Sequence, residues 1–171
     1  MAIDSIEVIG IPSVSLSLGV KEACVDETSI ALTGGLPIGG VYSGTGVSGS
    51  IFNPSTAGPG THSITYSYTD MNGCLNTNSD DIIVYGFPSI TGITPVNPIS
   101  CGGNNGSITI NASGGTSNFE YRINGGTWQS SNNFSGLSSG NYNVEVRNDN
   151  TYCITNYTSN PIVLSLSLIH I

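Results

Sequence analysis

Few residues in this chain have the type and spacing to do chemistry. Gly44-Thr-Gly46-Val-Ser-Gly49 has the G-x-G-x-x-G spacing with which backbone amides cradle a pyrophosphate. That use needs a strand before the glycines, a helix opening on them and an acid about 20 residues further on. Here Ser50-Ile-Phe-Asn-Pro54 follows, with no helical pattern, so the segment reads as a glycine-rich β-loop. Gly136-Leu-Ser138-Ser-Gly140 has the spacing of a nucleophile elbow. It leads into a strand rather than a helix, so it reads as a β-turn. His62 stands on a strand whose period-two alternation places it with Ile64 and Tyr66, which makes it a packed, half-buried histidine rather than a general base. The carboxylates are scattered and show no pairing, so general acid–base work has no obvious residues and the chain reads as no enzyme.

Binding chemistry offers a little more. Asp70-Met-Asn72-Gly73 and Asn148-Asp149-Asn150 carry oxygen ligands of the kind calcium takes. The same residues stabilise turns by bonding their own backbone, and that reading is preferred. Trp128, with Tyr121 and Tyr142, could form an aromatic patch for stacking sugars, and Trp128 follows a turn that would expose it. Lys21, the chain's only lysine, could form an isopeptide crosslink; its polar surroundings argue against that. No cofactor and no metal site is expected.

The elements that must position these residues are short strands. The chain has 171 residues with 3 Lys+Arg against 11 Asp+Glu, a formal net charge of -8, and only 8% charged residues. So few basic side chains exclude nucleic acid as a partner, and no apolar run is long enough for a membrane-spanning helix. The remainder is rich in Gly, Ser, Thr, Asn and Tyr, which favours strands and turns and disfavours helices.

Asp4-Ser-Ile6-Glu-Val8-Ile-Gly10-Ile-Pro12-Ser13 is echoed by Asp80-Asp-Ile82-Ile-Val84-Tyr-Gly86-Phe-Pro88-Ser89, an offset of 76 residues. A second echo links Gly60-Thr-His62-Ser-Ile64-Thr-Tyr66 with Gly140-Asn-Tyr142-Asn-Val144-Glu-Val146. The expected organisation is a last-strand remnant of a preceding module (1–11), an Ig-like β-sandwich repeat (12–87), a second β-sandwich repeat (88–165) and a terminal segment (166–171). The fold class is therefore all-β, two tandem small Ig-like β-sandwich modules. The last segment, Leu166-Ser-Leu-Ile-His170-Ile171, matches the in-frame translation of a transposase mosaic-end sequencing adaptor, so it is set apart from the fold.

Strands are predicted near Val14–Leu18, Ser29–Thr33, Val41–Tyr42, Ile51–Phe52, Ser63–Tyr68 and Asp81–Tyr85 in the first module. In the second they are predicted near Ser107–Ala112, Phe119–Ile123, Thr127–Gln129, Tyr142–Arg147 and Pro161–Leu164, with Asn124-Gly125-Gly126 as a hairpin turn.

Each module opens with a cysteine, Cys24 or Cys101, and its echoed strand ends shortly before another, Cys74 or Cys153, at separations of 50 and 52 residues. Four cysteines allow three connectivities. The repeat favours Cys24–Cys74 and Cys101–Cys153. A crosslink closing a loop of that size is worth about 4 kcal/mol in the chain-entropy account, and it implies a compartment outside a reducing cytoplasm.

Residues 100–154 resemble an SprB-type repeat. The resemblance is carried by Cys101-Gly-Gly103-Asn-Asn105-Gly106-Ser107-Ile108-Thr-Ile110, Gly114-Gly115-Thr116, Phe119-Glu-Tyr121-Arg-Ile123-Asn124-Gly125-Gly126, Phe134-Ser-Gly136-Leu137, Gly140-Asn-Tyr142-Asn-Val144-Glu-Val146 and Cys153. Two departures from the pattern are Ser117-Asn118 in place of prolines and Tyr152-Cys153 in place of Gly-Cys. The first module is similar to Ig-like repeats that accompany it, through Gly40-Val-Tyr42-Ser-Gly44-Thr-Gly46, Ala57-Gly58-Pro-Gly60-Thr-His62 and Tyr68-Thr-Asp70-Met-Asn72-Gly73-Cys74.

The resemblance implies non-catalytic structural or adhesive repeats of a large exported surface protein of a Bacteroidetes-type bacterium, of adhesion or gliding-motility type. Its signal for export would lie outside residues 1–171, and no catalytic residues carry over. The implied partners are neighbouring repeats of the same chain and an unidentified surface, polysaccharide or protein ligand. The alternative is a carbohydrate-binding or spacer module accessory to a secreted enzyme, with Trp128 as the contact aromatic.

Overall fold

The structure, a computed structural model, describes residues 10–99, 103–115, 118–149 and 151–167. The N-terminal strand copy at residues 4–8, Cys101, Ser117, Asn150 and His170 lie outside the described residues. The chain divides into two units, 1–84 and 85–171.

The first unit is built from β1 (Ser15–Leu16), β2 (Glu22–Cys24), β3 (Ile30–Ala31), β4 (Gly35–Leu36), β5 (Val41–Ser43), β6 (Val47–Ser48), β7 (Ile51–Phe52), the single-turn α1 (Pro54–Ala57), β8 (Gly60–Thr69) and β9 (Leu75–Tyr85). Its main sheet has the order β2-β9-β8-β5, with smaller pairings β1-β4 and β3-β7-β6. The β8–β9 hairpin is its spine, paired in unbroken register from Gly60↔Val84 to Thr69↔Leu75.

Alternation decides which face is buried. Ile64 and Tyr66 on β8 and Ile82 and Val84 on β9 point inward, and they meet Leu16, Leu18, Leu32 and Phe52 from the other layer. The Tyr66 hydroxyl donates to the Pro37 carbonyl (2.6 Å) and accepts from the Gly40 amide (2.7 Å), so the buried ring keeps its polar end satisfied. A Cβ on Gly40 would stand 2.5 Å from the Tyr66 ring, so this position needs glycine for close approach. The expected absence of helix after the glycine-rich loop needs correction, because α1 forms a single turn there. Pro54 stands at its first position, where a missing N–H costs nothing, and the Asn53 side chain caps it by accepting from Thr56 N–H (3.1 Å).

The second unit is built from β10 (Ser89–Val96), β11 (Gly106–Ser113), β12 (Phe119–Ile123), β13 (Asn133–Leu137), β14 (Gly140–Tyr142), β15 (Val144–Asn148), β16 (Ile154–Asn156) and β17 (Ile162–Leu164). Sheets β10-β11-β13 and β12-β15-β16, with the β14-β17 pair, enclose one core. Ile108 and Ile110 enter it from β11, Tyr121 from β12, Val144 and Val146 from β15, and Leu164 from β17.

Several strands differ from expectation. β10 occupies a stretch of the second module for which no strand was expected; it is an edge strand, where proline is tolerated, and its bulge between Ile90 and Gly92 breaks the alternation. The strand expected over 142–147 splits at Asn143 into β14 and β15, which join different sheets. The strand expected at Thr127–Gln129 shrinks to one bridge, Gln129↔Tyr121. The Asn124-Gly125 turn itself forms, with positive φ of 51° and 67°, the conformation such hairpin turns demand.

The expected Cys24–Cys74 pair is not formed: Cys74 is a free thiol, while Cys24 and Cys153 are each disulfide-bonded. Geometry gives the reason. The Ile83 amide donates to the Lys21 carbonyl (2.8 Å), so the chain just before Cys24 lies beside the far end of β9, whereas Cys74 immediately precedes its start. At ~3.3 Å per strand residue, that leaves the two cysteines roughly 15–20 Å apart. A disulfide tolerates at most about 7 Å between Cα atoms.

Replacing Ile82, fully buried in the first core, by alanine is expected to cost about 2–5 kcal/mol in urea unfolding, with little change at exposed Thr61. Lys21 pairs with Asp80, and the Leu18 amide also donates to that carboxylate (2.9 Å). The Lys21 hydrogen bond, then the Leu18 amide, hold the Asp80 carboxyl below its ordinary value of 3.8. Its contribution to stability is thus complete above that ordinary value and disappears as pH falls through the lower folded-state value. Asp80→Asn should therefore lower the first module's melting temperature at neutral pH, and the difference should close in strong acid, as read by calorimetry across pH.

Candidate functional site

The structure distributes the sequence candidates to different roles. His62 is half-buried on β8; its Nε2 donates to the Gly58 carbonyl (2.8 Å) and its ring stands 6.0 Å from Phe52. It is thereby occupied in holding the chain between α1 and β8. The glycine-rich loop packs rather than binds: a Cβ on Gly46 would lie 2.7 Å from Ala57 and one on Gly44 would lie 2.7 Å from the Ser63 carbonyl. The Ser138 segment is the corner between β13 and β14, where the Ser138 carbonyl accepts from the Tyr142 hydroxyl (3.0 Å). Asp70 closes the β8–β9 turn by accepting from the Asn72 and Cys74 amides, both at 2.9 Å. Asn148 is buried and Asp149 exposed, so these neighbours point apart rather than converging on an ion. Among the described residues no group of three or more His, Cys, Asp or Glu could hold a metal. Lys21 is ion-paired to Asp80.

A dense polar arrangement lies on the outer face of β12 and β15. Register places Glu120 opposite Arg147 and Arg122 opposite Glu145, while Tyr121 and Val146 between them face the core. Arg122 grips Glu145 as a fork, Nε to Oε2 at 2.6 Å and Nη2 to Oε1 at 3.0 Å. Glu145's hydrogen bond raises Arg122's hold on its proton. Arg147 places Nε and Nη2 on one oxygen of Glu120, at 2.8 and 2.7 Å. Trp128 lies across this quartet, with the Arg122 and Arg147 guanidinium carbons 4.4 and 4.5 Å from its ring centroid. The turn at Asn124-Gly125 and the paired Tyr121–Gln129 backbone bonds (2.8 and 3.0 Å) bring Trp128 there. Trp128 is thus half-buried, with its ring packed on two of the protein's own cations.

Beside the quartet opens a cleft of about 470 Å³, lined by Asn118, Phe119, Glu120, Tyr121, Ser130 and Asp149. The Asp149 amide donates to the Asn118 carbonyl (2.8 Å), joining the chain just before β12 to the chain just after β15. Burial pushes the Tyr121 phenol up from its ordinary value, so it stays a neutral hydroxyl. The reading of single residues missed this cleft. A signal was present: Glu120-Tyr-Arg122 and Glu145-Val-Arg147 are the same E-x-R triplet, which on antiparallel neighbours gives two opposite-charge pairs.

The SprB repeat family matches residues 93–127, from mid-β10 through β12 to the turn before Trp128. This overlaps the resemblance read over 100–154 and begins earlier, inside β10. Among solved structures, the crystal structure of Down Syndrome Cell Adhesion Molecule (DSCAM) isoform 1.30.30, N-terminal eight Ig domains, is similar over 92% of this chain at 13% identity and a TM-score of 0.53. The chain spans 28% of that structure's length, and the likeness is one of fold. No curated protein sequence matches the chain. The chain is therefore all-β with an Ig-like fold, and residues 93–127 match the SprB repeat family. No helix among the described residues is long and apolar enough to cross a membrane.

Removing Trp128 should loosen the quartet without unfolding the module. In a double-mutant cycle, Trp128→Ala and Arg147→Met are expected to couple by about 0.5–1 kcal/mol in urea unfolding, whereas Trp128→Ala and Ile82→Ala should add.

Proposed function

We propose that this chain is a pair of non-catalytic, disulfide-stapled repeat modules from a large exported bacterial surface protein of adhesion or gliding-motility type. The observation that carries the reading is an SprB repeat match lying within a unit of an Ig-like chain. Two further features support it. Cys24 and Cys153 are disulfide-bonded, a state that persists outside a reducing cytoplasm. The residues best suited to catalysis are engaged in structure: His62 holds a turn, and Asp80, Glu120 and Glu145 are ion-paired.

In this reading the work is mechanical and multivalent. Small sandwiches repeated along a chain hold a surface away from the cell, and many weak contacts gain avidity through effective concentration. The partners are neighbouring repeats of the same chain and an external surface, polysaccharide or protein.

Antibodies raised against residues 12–165 should label intact cells that express the parent gene, and added protease should strip that signal. Labelling that requires lysis would overturn the surface assignment. The staple has its own test. Reductant or Cys153→Ser should lower the melting temperature by several degrees, while Cys74→Ser should leave it unchanged. A thiol reagent on the folded, oxidised protein should modify Cys74 and spare Cys24 and Cys153, as read by peptide mass spectrometry.

A further inference from the structure

We propose that the cleft lined by Asn118, Phe119, Glu120, Tyr121, Ser130 and Asp149 binds a neutral, hydroxyl-rich ligand, a hexose unit of a glycan. At about 470 Å³ it has the size of a small-molecule site. Its chemistry is mixed in the way a sugar needs. Phe119, half-buried, supplies apolar surface for the C–H face of a pyranose, while Tyr121 lines the cleft with its ring buried in the core. Asn118, Ser130 and Asp149 are exposed on the rim and supply an amide, a hydroxyl and a carboxylate for the ring hydroxyls.

The site is built rather than incidental. The Asp149–Asn118 backbone bond fixes one wall, and the paired Tyr121–Gln129 bonds place Ser130. Glu120 is held by Arg147, which is itself packed on Trp128. Groups held in place before the ligand arrives lose less entropy on binding. Trp128 then acts as a positioning residue for the cleft, not as its contact aromatic.

Charge selects the ligand class. All three Lys and Arg residues of the chain are ion-paired, so no Lys or Arg is left free to receive a phosphate, sulfate or uronate. A metal ion is equally poorly served, because Arg147 neutralises Glu120 and leaves Asp149 as the one uncompensated charge of the lining. The inference goes beyond the surface reading and does not depend on it: the modules could act as spacers with this cleft empty.

The test is a titration of the ¹⁵N-labelled full chain, followed by NMR, with methyl glucoside, methyl galactoside, methyl mannoside and N-acetylglucosamine. Calcium chloride and inorganic phosphate are run as separate arms. At least one sugar should give saturable shifts at the amides of residues 118–121, 130 and 149, and phosphate should give none. Asn118→Ala and Asp149→Asn should each weaken that binding about tenfold, the worth of one good hydrogen bond, with the melting temperature unchanged. The proposal fails if no sugar gives saturable shifts, if the shifts fall elsewhere, if both variants bind as the parent does, or if calcium alone reproduces them. Surface labelling of cells would stand or fall separately.

Discussion

Everything in these modules depends on two apolar side chains per central strand, spaced two residues apart. Ile64 and Tyr66, Ile82 and Val84, Ile108 and Ile110, and Val144 and Val146 are all buried. Each pair commits one face of a strand to the core and leaves the residues between them outside. A slip of one residue would reverse both faces, so these few side chains fix the register of the whole sheet. The hairpin from Gly60 to Tyr85 and the β12–β15 pair inherit their geometry from that choice.

The outer face follows from the inner one. Once Tyr121 and Val146 point inward, Glu120, Arg122, Glu145 and Arg147 must point outward, and antiparallel register sets each acid against a base. In a chain with so few charges, the quartet engages both arginines, and Trp128 covers them. Cross-strand pairs of this kind are worth only about 0.2–1 kcal/mol each. Their larger consequence is positional: Glu120 and the Gln129 segment become fixed walls of a cleft. Charge scarcity thus shapes the chemistry of the surface, because pairing leaves none of the chain's Lys and Arg residues free to attract an anion.

Much of this was legible in the sequence. The all-β class and the Ig-like, SprB-type resemblance came from turn residues, alternation and motif order. Ile51–Phe52 and Phe119–Ile123 were read at their observed bounds because both have clear turn signals beside them. β10 escaped because a bulge and Pro95 disrupt the alternation that marks a strand. The cysteine assignment failed for a different reason. Spacing in sequence cannot tell which end of a long hairpin faces a third strand, and β9 carries Cys74 away from Cys24. The cleft was hidden because its lining comes from the start of one strand, the end of another and a loop brought in by a single bridge. Trp128 was noticed as an exposed aromatic, but its covering arginines follow only from register.

The most direct test of the surface-repeat account is a long DNA read through this reading frame in its source. The account predicts further Ig-like or SprB-type modules in tandem and an export signal on the same chain. A catalytic domain joined directly to these two modules, with no further repeats, would contradict it and make them accessories of that enzyme.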